Sequence, residues 1–492
     1  MTWIAAALVV AIGCLGVPAV SNAAGPRLKV VGNRLVDGRG GGSFVPRGVN
    51  WPSFEYACHD GYGYSNSAGP RTVGPDAAGA AVMVSWHVNT VRIPLNQDCW
   101  LGEDGLPAFG RASGYRAAVR RWVSILHRAG LAVILDLHWS GPAGVVADGQ
   151  RAMADDRSDD FWSSVARTFK KDRSMIFDVF NEPYSRYGDK AIVFDLTWGC
   201  WRNGGCNAPR AHVLQAFDGT TFVTVGMQAM VDAIRTTGAK QPIMISGRDF
   251  GNDVDGWLDN RPNDSQLIAS FHAYNHQACN TEACWDSKVA PIAAQVPVVS
   301  GEFAENDCVP AYDERFMDWA DRHGVGYLPW AWWILPQKGC SLPALLRNVK
   351  GDARKPNGTA LKRHLARLAP RLSVSGSASQ RLDGAVEVRL SCKKACRASA
   401  TGDLIVATGS GPRAAVTTRF RLQAVSARKL RAGRGVTFAL KIPAKARLAA
   451  QAALGAGRSV SARITIVARG NSLETHRTRT SRLLRGGVSL GS

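Results

Sequence analysis

Eight short apolar runs between residues 44 and 333 constrain the fold of this chain more than any other feature of its sequence. Each run is rich in β-branched or apolar residues, which is typical of a parallel strand buried on both faces. Stretches with helical periodicity separate them, and the clearest combines an apolar stripe (Tyr115, Val119, Trp122, Leu126) with a stop at Gly130. The runs read VPRGVN, VNTVRIPL, LAVILDLH, MIFDVFNEP, QPIMISG, LIASFHAY, VPVVSGEF and GYLPWAWW.

Alternating strands and helices of this number predict an α/β fold built around a (β/α)8 TIM barrel. The 492 residues exceed what such a barrel needs, so a second, smaller domain is expected. The composition changes near residue 370, where a Ser/Gly-rich stretch begins and beyond which the chain has no Trp and no Tyr. We therefore predict a barrel domain over 25–368, a linker over 369–380 and a basic, all-β, sandwich-like domain over 381–492.

The first 24 residues form an apolar run that ends in small residues, with Ser21-Asn22-Ala23 as a cleavage point. This pattern predicts a signal peptide and a secreted, extracellular protein. The alternative is an uncleaved membrane anchor, against which Pro18 and the small residues argue because they shorten the apolar stretch.

Removal of Cys14 with the signal peptide leaves ten cysteines, an even number that suits an oxidising compartment. Their spacing makes three local disulfides plausible: Cys200–Cys206, Cys279–Cys284 and Cys392–Cys396. A zinc site would need ligand clusters of the C-x2-C and H-x3-H kind together, and this combination is not present in this sequence. We expect neither a metal nor a cofactor.

Polar side chains stand at the ends of the predicted strands, where barrel enzymes place their chemistry. Each one alone is weak evidence, since a single His after a strand is often a satisfied structural residue. Together they are costly to bury unless they are paired, and a functional site explains their convergence better than packing does. They are Arg92 on the second strand, His138 on the third, Asn181 and Glu182 on the fourth, His272 and Tyr274 on the sixth, Glu302 on the seventh and Trp332 on the eighth.

Two of these side chains, Glu182 and Glu302, are carboxylates on strands that lie across the mouth of the predicted barrel. Although 120 residues separate them in sequence, they can converge on one substrate bond. Hydrolysis of a glycosidic bond needs two carboxyl groups, one protonated to assist the leaving group and one ionised to attack or to activate water. The pair therefore favours a glycosidase.

The motifs RGVN, NTVRIPL, LDLH, FDVFNEP, FHAY, GEF and the Trp-rich eighth strand resemble glycoside hydrolase family 5, the cellulase family of retaining barrel enzymes, over residues 28–350. This resemblance implies that Glu182 is the general acid/base and Glu302 the nucleophile. It also implies that six further residues line the subsite of the attacked sugar: Arg92, His138, Asn181, His272, Tyr274 and Trp332. Arg92 is expected to hold a carboxylate ionised and Tyr274 to orient Glu302. The chain departs from the family pattern at Trp333-Ile334, where a polar residue is usual.

The resemblance implies a retaining β-glycosidase acting on a β-linked polysaccharide or oligosaccharide, and we favour an endo-β-1,4-glucanase. An endo-β-mannanase and an exo-acting or disaccharide-releasing β-glycosidase are the alternatives among enzymes, and an inactive, sugar-binding barrel is the alternative to an enzyme. Loop tryptophans could be sugar platforms or packing residues, with Trp198 and Trp201 the better candidates for the cleft. We expect a monomer.

The predicted C-terminal domain is strongly basic: residues 371–492 contain 23 Lys and Arg against 4 Asp and Glu, a net charge of +19. Binders of crystalline polysaccharide depend on flat aromatic rings, and this segment has no Trp or Tyr. Weak, salt-sensitive contact with anionic polymers of an envelope is the expected interaction, with a solvated surface that has no partner as the alternative. Nucleic acid is not expected as a partner.

Overall fold

The computed structural model describes residues 25–39, 42–61, 63–65, 74–102, 112–188, 191–335, 340, 342–408 and 417–485. The predicted signal peptide, residues 1–24, lies outside the described residues. Within those ranges, no helix combines the length and the apolar character needed to cross a membrane.

Eight parallel strands form the barrel, and each pairs with its neighbour in the chain. A parallel bridge between Arg47 and Tyr327 joins the beginning of the first strand to the last one. The prediction of a (β/α)8 barrel is confirmed, because each strand coincides with one of the eight apolar runs and extends at most one residue beyond it. The strands are β1 (Gly48–Asn50), β2 (Thr90–Asn96), β3 (Ala132–Trp139), β4 (Met175–Asp178), β5 (Ile243–Ser246), β6 (Leu267–Tyr274), β7 (Val298–Ala304) and β8 (Gly326–Pro329).

Helices follow these strands and pack around the barrel. In the helix Ala112–Arg128 the predicted stripe is buried, with Tyr115, Val119, Trp122 and Leu126 facing the core. Two short helices, Gln97–Leu101 and Trp198–Asn203, lie in loops. The outer helices are α1 (Ala77–Ser85), α2 (Ala112–Arg128), α3 (Ser158–Phe169), α4 (Met227–Thr236), α5 (Trp257–Asn260), α6 (Glu282–Cys284), α7 (Ala311–His323) and α8 (Asn357–Leu368). α6 continues through a π-helical turn (Trp285–Val289) into a further helical turn (Ala290–Ala293).

A small antiparallel sheet covers the end of the barrel at which the strands begin. Its strands are Leu28–Val31, Arg34–Asp37 and Gly42–Ser43. Leu28 and Leu35 pack there against barrel residues such as Ile134 in a common apolar cluster. The opposite end, where the strands finish, is left to the loops that carry the candidate site.

The loop after β4 is the longest insertion at the open end and spans residues 183–226. It contains one hairpin (Arg186–Tyr187 with Ile192–Phe194) and a second one (Gly204–Pro209 with Thr221–Val225). Disulfides join loops at this end, and they include both pairs predicted there. The disulfides of the barrel are Cys58–Cys99, Cys200–Cys206, Cys279–Cys284 and Cys308–Cys340.

The described residues between 372 and 484 form two further sheets around a separate apolar core. The elements are β9 (Leu372–Ser375), β10 (Ser379–Arg381), β11 (Ala385–Cys392), β12 (Cys396–Ala407), β13 (Thr417–Arg421), β14 (Val425–Leu430), β15 (Val436–Lys441), α9 (Ala444–Gly455), β16 (Val460–Gly470) and β17 (Leu473–Leu484). The three-stranded sheet has the order β9-β11-β15, the larger sheet has the order β10-β17-β16-β12-β13, and β14 also pairs with β12. The predicted disulfide Cys392–Cys396 is present.

The prediction of a linker over 369–380 is wrong, because this segment contributes β9 and β10 to the two sheets. β9 pairs with β11, and β10 pairs in parallel with β17. Both are short strands at the edge of a sheet, where polar and small residues are common. Their composition therefore resembles that of a linker.

The second domain is attached to the closed end of the barrel through the turn between β16 and β17. Asn471 and Ser472 occupy this turn with positive φ angles, as a two-residue hairpin turn requires. The backbone oxygens of the turn accept hydrogen bonds from Arg47 Nη1 at 2.8 Å and from Asn89 Nδ2 at 3.0 Å. Leu473 is buried within the core cluster of the barrel. The two domains therefore share a packed interface far from the open end.

Candidate active site

Arg92, on β2, is the centre of a buried polar network at the open end of the barrel. Its side chain has no exposed surface. Burial alone would lower the pKa of this guanidinium, but the neighbouring carboxyl groups of Asp136, Asp178 and Glu302 raise it, so Arg92 remains charged. Its partners are Asn50 at 3.0 Å, Asp136 at 3.0 Å, Asp178 at 2.8 Å, Asn181 at 2.8 Å and Glu302 at 2.8 Å.

Glu302 lies within β7 and is held on both carboxyl oxygens. Oε1 accepts a hydrogen bond from Arg92 Nη1 at 2.8 Å, and Oε2 accepts one from the Tyr274 hydroxyl at 2.7 Å. Tyr274 is the last residue of β6, the strand that pairs with β7, and this pairing brings its phenol within hydrogen-bonding distance of Glu302. Two donors from two strands fix the plane of the Glu302 carboxyl group.

Glu182 follows β4 and faces Glu302 across the mouth of the barrel. Its side chain is 14% exposed, and Oε1 lies 2.7 Å from His272 Nδ1. Gln150 Nε2 donates a hydrogen bond to Oε2 at 3.1 Å. Burial raises the pKa of Glu182, and the hydrogen bond from Gln150 partly opposes this rise.

His272 is neutral at neutral pH, because burial lowers its pKa to about 3. It therefore supplies no positive charge that would keep Glu182 ionised. Glu182 thus lies in a partly desolvated setting, which suits a carboxyl group that must hold a proton until it is needed.

The carboxyl groups of Glu182 and Glu302 are close: one oxygen of each, together with a ring nitrogen of His272, lies within 4.8 Å of the others. Two carboxylates and an imidazole at this distance could in principle hold a cation. Both oxygens of Glu302, both oxygens of Glu182 and Nδ1 of His272 already have hydrogen-bonding partners within the site. A cation would therefore have to displace this network.

Asp136 and Asp178 lie beneath the two glutamates, on β3 and β4. Burial raises the pKa of Asp136 to about 7, against the opposing effect of Arg92, and it raises the pKa of Asp178 for the same reason. Asp136 also lies 2.7 Å from Nδ1 of His138, whose pKa burial lowers to about 4. These carboxyl groups hold Arg92 and His138 in place while the single charge of Arg92 is shared among them.

Trp332 does not line the cleft, so the prediction that it contacts the sugar is wrong. Its side chain is fully buried and packs against Trp86, with ring centroids 4.7 Å apart. Trp330, two residues earlier, is partly exposed and stacks on His138 at 5.5 Å with an interplanar angle of 8°. The chain leaves β8 at Pro329, and Trp330 turns toward the open end whereas Trp332 turns toward the core.

The loop tryptophans divide into packing residues and residues with exposed surface. Trp51, Trp100, Trp201 and Trp285 are fully buried, so the prediction that Trp201 faces the cleft is wrong. Trp139 and Trp198 are partly exposed. Trp198 contacts Trp201 edge to face at 5.0 Å, and the guanidinium of Arg248 lies 4.6 Å from its ring centroid.

The other seven predicted residues all belong to the network around Arg92 and the two glutamates. Sequence reasoning missed four members of the site: Asn50, Asp136, Asp178 and Gln150. Asp136 and Asp178 could have been found, since each is a charged residue inside an apolar strand. Gln150 carries no such signal, because it lies in a loop and reaches Glu182 only through the fold.

A (β/α)8 barrel with two carboxyl groups at its mouth is the architecture of many glycoside hydrolases. Residues 48–335 match the cellulase family, glycosyl hydrolase family 5. Because this match covers more than half of the chain, the protein belongs to that family and is a glycoside hydrolase. No curated protein sequence matches the chain.

Several solved structures resemble this chain at low sequence identity. A β-glucanase from Saccharophagus degradans in complex with cellotetraose has a TM-score of 0.53 and 16% identity, over 73% of this chain and 98% of that one. The catalytic domain of an endoglucanase from Thermobifida fusca has a TM-score of 0.48 and 15% identity, over 69% and 97%. A β-mannanase from Streptomyces thermolilacinus with mannohexaose has a TM-score of 0.47 and 21% identity, over 70% and 96%.

Proposed function

We propose that the protein is a retaining β-glycosidase that acts by double displacement. The observation that carries this proposal is the proximity of Glu182 and Glu302, whose nearest oxygens lie within 4.8 Å. Retaining enzymes place their two carboxyl groups about 5 to 5.5 Å apart, whereas inverting enzymes leave roughly 6.5 to 9.5 Å for a water molecule. The short separation in this site supports the retaining alternative.

Glu302 attacks the anomeric carbon as the nucleophile, held in orientation by Arg92 and Tyr274. Glu182 donates a proton to the departing oxygen, and its raised pKa keeps that proton in place beforehand. In the second half of the reaction, Glu182 removes a proton from water, which releases the sugar from Glu302. Asn181, fixed by its bond to Arg92, is placed to bind the sugar 2-hydroxyl group.

The preferred substrate in this proposal is a β-1,4-linked glucan cleaved at internal bonds. Support comes from the family and from the shared fold with a β-glucanase that was crystallised with cellotetraose. Neither the fold nor the catalytic pair determines which β-glycan is the substrate, since the same fold hosts several activities. Endo-β-mannanase and exo-acting β-glycosidase activities therefore remain the alternatives that an experiment must separate.

The deciding experiment measures hydrolysis of carboxymethyl cellulose, mixed-linkage β-glucan and β-mannan, with sizing of the products and Glu302→Ala as the matched control. The proposal expects short oligosaccharides from the β-1,4-glucans and a rapid fall in viscosity. Cleavage of β-mannan alone would reassign the substrate, and release of only monosaccharide or disaccharide would reassign the mode of action. Binding without hydrolysis of any polysaccharide would indicate an inactive, sugar-binding barrel.

The proposal includes export from the cell. The apolar N-terminal run and the pairing of ten cysteines into five disulfides support it, since disulfides persist in oxidising compartments. N-terminal sequencing of protein recovered from the culture medium should give a chain that begins shortly after Ala23. Recovery of the intact N-terminus with the membrane fraction would contradict this part of the proposal.

A further inference from the structure

A small pocket at the junction of the two domains collects basic side chains. It measures about 230 Å³ and lies between the end of α8, the segment that leads into β9 and the turn between β11 and β12. Concave sites lined by one sign of charge concentrate the electrostatic potential, so this pocket attracts anions. Among the described residues that line it, none is acidic and four are basic: Arg367, Arg371, Lys393 and Lys394.

Hydrogen bonds and a disulfide hold the segments of the chain around this pocket. The backbone N–H of Lys393 donates to the backbone oxygen of Arg371 at 3.0 Å, which places these two residues side by side. Asn471, in the hairpin turn that also lines the pocket, donates from Nδ2 to the backbone oxygen of Leu368 at 3.2 Å. The disulfide Cys392–Cys396 closes the turn that carries both lysines. Both domains therefore build the pocket, and the backbone that carries its charges is held in place before a ligand binds.

Most of the positive charge in the pocket has no counterion. Arg367 lies 2.8 Å from His364 Nδ1 and 3.5 Å from Asp318, and the side chains of Arg367 and Asp318 are 48% and 58% exposed. Ion pairs this exposed contribute little free energy, so Arg367 remains able to contact a ligand. The other three basic residues are exposed, and the described part of the chain forms no ion pair with them: Arg371, Lys393 and Lys394. The pocket therefore has an excess of positive charge.

The size and the charge of the pocket together define the ligand. Pockets for drug-sized ligands measure roughly 300 to 1,000 Å³, so this one has room for a small group rather than for a stretch of polysaccharide. A carboxylate brings one negative charge, whereas a phosphate monoester brings about two near neutral pH, together with three acceptor oxygens. Lysine binds phosphate as a point charge, and arginine binds it through two parallel N–H donors. A doubly charged phosphate group therefore suits these four side chains better than a carboxylate does.

We propose that this pocket, which we call the junction site, binds a doubly charged phosphate group, either as inorganic phosphate or as the phosphate of a small ester such as a sugar phosphate. Arg367 belongs to the last helix of the barrel domain, whereas Lys393 and Lys394 belong to the second domain. Bound phosphate therefore bridges the two domains and stabilises their packed arrangement, because it binds only where both sets of charges are present.

Isothermal titration calorimetry of the full chain with inorganic phosphate tests this proposal, at about pH 8, where phosphate is doubly charged, and at constant ionic strength set with sodium chloride. The wild-type protein should bind one phosphate. Lys393→Gln/Lys394→Gln should raise Kd by about tenfold or more, because two charges beside the ligand are lost. Arg367→Gln should also raise Kd, since the barrel domain supplies part of the site. The matched control is Lys441→Gln/Lys445→Gln, which removes two exposed lysines of the same domain outside the pocket and should keep the wild-type Kd.

Glucose 6-phosphate and acetate, titrated in the same way, define the ligand. Whichever of glucose 6-phosphate and inorganic phosphate binds more tightly identifies the source of the phosphate group, and acetate should bind at least about tenfold more weakly than either. No phosphate binding by the wild-type protein, an unchanged Kd in Lys393→Gln/Lys394→Gln, or equal binding of acetate and phosphate would each overturn the junction site. An equal rise of Kd in Lys441→Gln/Lys445→Gln would also overturn it, because the net charge of the domain would then account for the binding.

Discussion

Both ends of the barrel contain buried polar side chains, but the two ends use them differently. At the open end, Arg92 contacts three carboxyl groups, and Glu182 beside them keeps part of its side chain in contact with solvent. At the closed end, Arg47 pairs with Asp321 at 2.8 Å and donates to the hairpin turn of the second domain. The first network faces the space that a substrate can enter, while the second lies under a packed domain.

The comparison shows that burial of charge alone does not identify an active site. Arg47 and Arg92 both precede or lie in barrel strands, and both have carboxylate partners. Only the open end combines such a network with two carboxyl groups close enough to act on one bond. We expect substitutions at the open end to change catalysis and those at the closed end to change stability.

The largest effect should follow from Glu302→Ala, which removes the nucleophile and should lower kcat by about 10⁴-fold or more on every substrate. Glu182→Ala should retain measurable turnover of an aryl β-glycoside whose phenol is very acidic, because that leaving group needs no proton. Steady-state kinetics on this substrate and on polysaccharide measures both effects. Equal losses in the two variants on the activated glycoside would show that the roles are wrongly assigned.

Arg47→Ala is the counterpart at the closed end. It should leave kcat/KM within about twofold of wild type and lower the free energy of unfolding by about 2 kcal/mol, because Asp321 loses a charged partner but keeps its contacts with His364 and Tyr327. Urea unfolding followed by tryptophan fluorescence measures the loss. A large fall in kcat/KM without a change in stability would remove the distinction between the two ends.

Removal of residues 371–492 tests the same distinction with a whole domain. The barrel should keep its activity on soluble substrate, but its melting temperature should fall by about 5 °C, since Arg47 and Asn89 lose partners and Leu473 no longer fills the core. Calorimetry and kinetics on the two forms measure this. An unchanged melting temperature would show that the interface contributes no stability to the barrel.

The sequence predicted the barrel well because buried parallel strands are continuous apolar runs, and each run can be read locally. The site residues could also be predicted, because they are polar residues that stand at the ends of these apolar runs. The prediction for Trp332 fails because composition does not show which way a side chain turns after a strand ends at Pro329. Residues 369–380 resemble a linker in composition because edge strands need few apolar residues.

Gln150→Leu should move the alkaline limb of the pH profile of kcat/KM upward by about one pH unit. Gln150 donates a hydrogen bond that stabilises ionised Glu182, so its loss raises the pKa of Glu182 further and the acid form persists to higher pH. Gln266→Leu, which changes a glutamine bonded to Val30 near the closed end, is the control and should leave the limb in place. A downward shift in Gln150→Leu would contradict the assignment of Glu182 as the acid.

The smallest effect should be binding by the isolated C-terminal domain. Arg419, Arg463 and Arg482 are exposed on its larger sheet, and we expect weak binding to polygalacturonate that disappears at high salt. The domain should not sediment with cellulose. Sedimentation with cellulose that resists high salt would show that the domain binds neutral sugar, and failure to bind either polymer would favour a surface without a partner.

The most direct test of the account is the configuration of the newly formed reducing end. Proton NMR of wild-type protein acting on cellopentaose records the first anomer before mutarotation mixes the two forms. Because the nearest oxygens of Glu302 and Glu182 lie within 4.8 Å of each other, as in retaining enzymes, the account predicts that the β anomer appears first. Initial release of the α anomer would contradict double displacement and with it the roles assigned to both glutamates.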